Sequence, residues 1–206
     1  SLGQDTIRLQ LDGGVDDTGQ WKGLLETASL NTARFGNWRL AKSTALVVGK
    51  HGGSVQDLCL TGASDARLCL AGDVASSAVW QAQGEIVSLP LSILQQWAEK
   101  YAAIEGSLSG SVSLAGKDAE LMHGEVRLST GDAFVDLVLP DRENRRIYWR
   151  KNDLKAVYDE RQLNAEFMSV LEDGSSMQAE AQLMDFVPVP FVPDAITING
   201  SLDFAI

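Results

Sequence analysis

The sequence predicts an all-β fold, on three observations. Apolar and polar residues alternate with a period of two along most of the chain. The alternating segments are parted by turns of Gly, Asp and Asn, and a single stretch carries helical spacing instead. A weak repeat, Gly106-Ser107-Leu108 returning as Gly200-Ser201-Leu202, would divide one continuous segment, 1–206, into 1–116 and 117–206. Such a repeat suggests a sheet that grows along one axis rather than a closed barrel.

In chain order, Ile7, Leu9 and Leu11 alternate with Arg8 and Gln10, and Asp12-Gly13-Gly14 reads as the turn that follows. Trp38 and Leu40 flank Arg39, and Ala45-Leu46-Val47-Val48 ends at Gly49. From Val79 to Ile86, Trp80, Ala82 and Ile86 share a face. Ile104, Leu108, Val112 and Leu114 fall at even positions with Gly106 and Gly110, while serines fill 107, 109, 111 and 113. Further strands are expected at 124–128, 133–139, 146–149, 154–158, 162–170, 177–183 and 195–206, the last with Ile196, Ile198, Leu202, Phe204 and Ile206 on one side. Pro90, Leu91, Ile93, Leu94, Trp97, Ala98 and Tyr101 instead follow helical spacing, which predicts one short helix over about 91–102, plugging an end of the sheet or covering an edge.

Two cysteines sit in a fold-back. If the chain reverses around Ser64, Cys59 faces Cys69, Leu58 faces Leu70 and Leu60 faces Leu68. That register puts four leucines on one face and both cysteines on the other, at a spacing a disulfide tolerates. A Cys59–Cys69 disulfide implies an oxidising compartment such as a bacterial periplasm. A redox-active pair lacks its Cys-x-x-Cys, and zinc lacks ligands.

Composition narrows the function. The formal net charge of −11 argues against nucleic acid and against electrostatic adhesion to anionic headgroups. No apolar run reaches the roughly 18 residues of a membrane span. The chain opens Ser1-Leu2-Gly3 and shows no signal peptide, so it reads as a segment whose membrane contact would lie in other parts of a longer protein. Catalytic patterns fail one by one. The middle of Gly106–Gly110 is Leu108, not the Ser of a nucleophile elbow. His123 and Glu125 have deaminase-like spacing with no Cys-x-x-Cys after them. Asp12, Asp16 and Asp17 lack the order of a calcium loop. Arg142, Arg145, Arg146, Arg150 and Lys151 with Tyr148 and Trp149 read as a solvated hairpin, and the five tryptophans are dispersed. No enzyme, cofactor or metal is expected.

Ile104-Glu-Gly-Ser-Leu-Ser-Gly-Ser-Val-Ser-Leu-Ala-Gly116, Gly36-Asn37-Trp38-Arg39-Leu40 ahead of the cysteine hairpin, and the Leu89-Pro90-Leu91 start toward Leu94 occur in an order that resembles the TamB family of the AsmA-like superfamily. The resemblance runs over most of 36–130 and returns near 186–206. It implies an elongated, curved β-sheet folded into an open trough, a β-taco, with an apolar inner face. It also implies a periplasmic location within a protein anchored in the inner membrane, and an outer-membrane assembly partner resembling TamA. The implied role is phospholipid passage between the membranes, with help in outer-membrane protein assembly. Ile7, Leu9, Leu11, Trp80, Ile86, Ile104, Leu108, Val112, Leu114, Ile196, Ile198, Leu202 and Phe204 are the residues expected to line the groove and hold phospholipid acyl chains. Alternation alone leaves open a closed sandwich whose faces fill each other. A functional alternative is a scaffold that templates outer-membrane strands at an exposed edge without conducting lipid.

Overall fold

The computed structural model describes residues 5–32, 36–50, 52–94, 102–137, 145–186 and 200–205. Within them lie fifteen strands of one antiparallel sheet: β1 (Thr6–Val15), β2 (Trp21–Thr32), β3 (Gly36–Leu40), β4 (Thr44–Gly49), β5 (Gly52–Thr61), β6 (Arg67–Ala75), β7 (Val79–Pro90), β8 (Ala102–Glu105), β9 (Ser107–Lys117), β10 (Glu120–Thr130), β11 (Ala133–Leu137), β12 (Arg145–Asp159), β13 (Gln162–Leu171), β14 (Ser176–Leu183) and β15 (Gly200–Ala205). The order along the sheet is β1-β2-β3-β5-β6-β7-β9-β10-β12-β13-β14-β15, with β4 beside β2 and β5, and β8–β11 attached to β12. Twelve strands at about 4.8 Å spacing extend for about 53 Å.

Little of this sheet is sealed from water. The accessible surface is 14554 Å² for a mass of 22.2 kDa, against about 9,400 Å² expected of a compact monomer that size. Among the described residues, only Leu25, Trp38, Cys59, Ala66, Ala133 and Tyr158 form a fully buried apolar set. Two packed layers of this length would bury many more.

Three expectations are corrected. Of the helix expected over about 91–102, the described residues hold a 3-10 turn at Leu91–Leu94, and Ala102 already belongs to β8. Residues 95–101 lie outside the described residues. Leu91 N–H donates to the Gly106 carbonyl at 2.9 Å, tying this turn to the start of β9. Asp12-Gly13-Gly14 is not a turn but the interior of β1, paired with β2. The reversal comes later, at Asp16, which accepts hydrogen bonds from Thr18 and Gln20. The strands expected at 146–149 and 154–158 are one strand, β12, continuous through a bulge between Trp149 and Lys151.

Candidate apolar face

Register assembles the apolar residues into five rows running across the strands. The first holds Val15, Trp21, Val48, Gly53, Val74, Trp80, Gly116 and Leu121. Beside it run Gly13, Gly23, Leu46, Val55, Gly72, Ala82, Leu114, Gly124, Tyr158, Leu163 and Leu183. The middle row reads Leu58, Leu70, Gly84, Val112, Val126, Ala156, Ala165 and Ala181, with Leu11, Leu25 and Thr44 at its β1 end. The fourth follows Leu40, Leu60, Leu68, Ile86, Gly110, Leu128, Leu154, Phe167 and Ala179, with Leu9 and Ala28 beyond. The fifth carries Leu89, Leu108, Thr130, Asn152, Ser169 and Met177, with Ile7, Leu30 and Trp38 toward β1. No Asp, Glu, Lys or Arg occupies any of these positions. The opposite face reads Cys59, Cys69, Glu85, Ser111, Arg127, Lys155, Glu166 and Glu180 across the same strands.

Strict alternation would not keep one face apolar over such lengths. Apolar positions switch parity at Leu25 to Ala28, Val55 to Leu58, Ile86 to Leu89, Leu121 to Gly124 and Trp149 to Asn152. A register shift lies at each switch. Each bulge inserts one unpaired residue and returns the next apolar side chain to the same side. Asp57 and Ser88, both at positive φ, sit in two of them.

Large side chains lie flat on this face. Trp21 covers Gly13 and Gly23 so closely that a Cβ at either would overlap the indole, and Trp80 covers Gly116 in the same way. Tyr158, 7% exposed, meets Phe186 edge to face at 6.2 Å. The buried polar residues are satisfied. Asn152 Nδ2 donates to Thr130 Oγ1 at 2.8 Å and Ser169 Oγ to Asn152 Oδ1 at 2.6 Å. Thr44 Oγ1 lies 3.2 Å from the Asp57 carbonyl oxygen.

Of the residues the sequence nominates for the groove, Ile7, Leu9, Leu11, Trp80, Ile86, Leu108, Val112 and Leu114 fall within these rows. Ile104 reaches the same side through Val135 and Ile147 on the β8–β11–β12 extension. Leu202 pairs with Ala179 and Phe204 with Met177. Ile196 and Ile198 lie outside the described residues. Sequence reasoning left out Leu25, Leu58, Leu70, Val126, Leu154, Leu163 and Phe167, whose alternation was visible but whose side of the sheet was not.

The polar face carries the linkages. Cys59 and Cys69 face each other and form a disulfide, with Leu58 opposite Leu70 and Leu60 opposite Leu68, the register the fold-back predicts. Arg67 Nε donates to Cys69 Sγ at 3.0 Å. Arg146, from the basic patch, binds the Asp136 carboxylate through Nε and Nη2, and its guanidinium lies 4.2 Å over the Phe134 ring. This bonding holds the Asp136 carboxyl below the usual carboxylate range. Hydrogen bonds from Thr18, then from Lys22, do the same for Asp16. A shallow depression of about 370 Å³ is lined by Gln83, Glu85, Ser111, Glu125 and Arg127 together with Leu70 and Val112. Among the described residues no cluster of His, Cys, Asp and Glu could hold a metal ion, and no helix is long and apolar enough to cross a membrane.

The family model described as TamB, N-terminal domain, matches residues 3–201. No curated protein and no solved structure matches the chain. A match over nearly the whole sequence, on a chain that folds as one antiparallel sheet with an apolar face, shows that the chain belongs to the TamB family.

Proposed function

We propose that this chain is a periplasmic segment of a bridge between the inner and outer membranes, and that its apolar face is the floor and walls of a trough that shields phospholipid acyl chains in transit. The observation that carries the reading is a charge-free apolar face, about 53 Å long, on which no second layer packs among the described residues. An acyl chain of about 16 carbons exposed to water costs on the order of 10 kcal/mol. An open apolar strip removes most of that cost at every point along its length, so no position holds the cargo much more tightly than the next. This task needs no catalytic group. Outer-membrane protein assembly with a TamA-like partner belongs to the same proposal.

The test places a photoreactive amino acid at Val112 or at Leu114 and irradiates in cells. Phospholipid adducts support the reading; adducts to protein alone sink it. One feature favours the edge scaffold as a second reading. Among the described residues β1 begins the sheet order, and its side chains are exposed, an edge position to which an outer-membrane strand could add beyond Thr6. Protein adducts from Arg8 and Gln10, with none of lipid anywhere, would favour it.

A further inference from the structure

The cysteine hairpin holds a charge that no sequence spacing announces. Arg67 stands two residues before Cys69 on β6, on the same side of the sheet. Its Nε donates to Cys69 Sγ at 3.0 Å and its Nη2 to Cys59 Sγ at 3.5 Å. Among the described residues Arg67 forms no ion pair with a carboxylate. Its guanidinium is directed at the two sulfurs of one bond.

The two sulfurs differ in access. Cys59 is 3% exposed, while Cys69 is half-buried and lines the shallow depression shared with Glu85 and Arg127. An incoming thiol therefore reaches Cys69 first. A thiolate departs and persists more readily beside a fixed positive charge. A Cys-x-x-Cys pair owes its reactivity to such local electrostatics; here the hairpin register supplies the charge. Glu85 faces Cys69 across the β6–β7 ladder and opposes an approaching thiolate. Directly opposed side chains stand about 5 Å apart, whereas Arg67 is in contact with both sulfurs, so the nearer charge dominates.

We infer that the Cys59–Cys69 bond is an exchange site for an external dithiol, with Arg67 stabilising each departing thiolate. First, one thiolate of the dithiol attacks Cys69 Sγ. A new S–S bond forms there, the Cys59–Cys69 bond breaks, and Cys59 leaves as a thiolate beside Nη2. Then the dithiol's other thiolate attacks its own sulfur in the mixed bond, and Cys69 leaves beside Nε. The dithiol ends as a disulfide, its two electrons reduce the cysteine pair, and the two protons it loses end on the two cysteines. The inference is independent of what the apolar face carries.

The probe is dithiothreitol, applied to the folded chain at neutral pH, with the reaction quenched in acid and free thiols alkylated and counted by mass. The unaltered chain is reduced at a rate proportional to dithiothreitol concentration, about tenfold faster than Arg67→Gln, and Arg67→Lys recovers most of the difference. In urea the three chains react alike. The sign separates this role from a bracing one, because loosening the hairpin would quicken reduction. Equal or faster reduction of folded Arg67→Gln overturns the inference. So does a rate independent of dithiothreitol concentration, which would mean that the bond reacts only after the chain opens. If Arg67→Gln does not fold, the reduced unaltered chain decides: its Cys69 thiol reacts with iodoacetamide in mildly acidic buffer faster when folded than in urea, and an equal or slower reaction overturns the inference.

Discussion

Over β1–β6 the middle row of the apolar face is floored by Leu11, Leu25, Thr44, Leu58 and Leu70; over β7–β14 the same row continues as Gly84, Val112, Val126, Ala156, Ala165 and Ala181. Exposure follows the change. On the first half Ile7, Leu9, Leu11, Val15, Val48, Leu70 and Val74 are all exposed, Ile7 to 67% and Leu70 to 46%. On the second half none of the large apolar residues of this face is exposed among the described residues. An edge position explains β1 but not Leu70 and Val74, which belong to a strand with neighbours on both sides. Small side chains along a floor let a sheet bend more sharply and bring its walls together. Small floor residues and lower exposure coincide on β7–β14.

The largest expected effect comes from a charge placed on each half. Leu128→Asp, in the sheltered half, should lower stability by about 2–4 kcal/mol, and Leu9→Asp, in the open half, by less than about 1 kcal/mol. Urea denaturation midpoints compare them, and equal losses would erase the distinction. Next is the disulfide, which closes a loop of sequence separation 10 within the open half. Cys59→Ser with Cys69→Ser should cost about 2–3 kcal/mol. Amide exchange should quicken in β5 and β6 and stay unchanged in β13 and β14; a uniform increase would mean that the two halves unfold as one. Filling the sheltered floor with Ala165→Leu should reduce bound phospholipid about threefold while changing stability by less than about 1.5 kcal/mol. Lipid retained at the unaltered level would show that the floor volume does not matter. The smallest effect belongs to the exposed Asp136–Arg146 pair. Its carboxyl is depressed in the folded chain, so its contribution is present above the unfolded value of about 4 and is lost as pH falls below it. Arg146→Ala should thus be slightly less stable than the unaltered chain at neutral pH, and the difference should shrink in strong acid.

Alternation in single strands was legible because side-chain direction in a strand is a local property. Ile7 to Leu11, Trp80 to Ile86 and Leu108 to Leu114 all share the side they were expected to share. The cysteine fold-back was legible for the same reason, since a short hairpin fixes its own register. Where the helical spacing begins, the described residues hold only the 3-10 turn Leu91–Leu94, tied to Gly106 fifteen residues on, a pairing that no periodicity reports. Gly13 read as a turn residue, yet its lack of a side chain serves the indole of Trp21 lying across it.

By itself the sequence determined that this protein is built of strands with one greasy and one polar side, because alternation and turn chemistry act within a few residues. Tertiary structure alone decided that those sides agree from strand to strand. Agreement depends on bulges at five parity switches and on pairings between residues far apart in the chain. It also decided which half of the face is open, because a side chain's exposure depends on neighbours that pairing brings from distant parts of the chain.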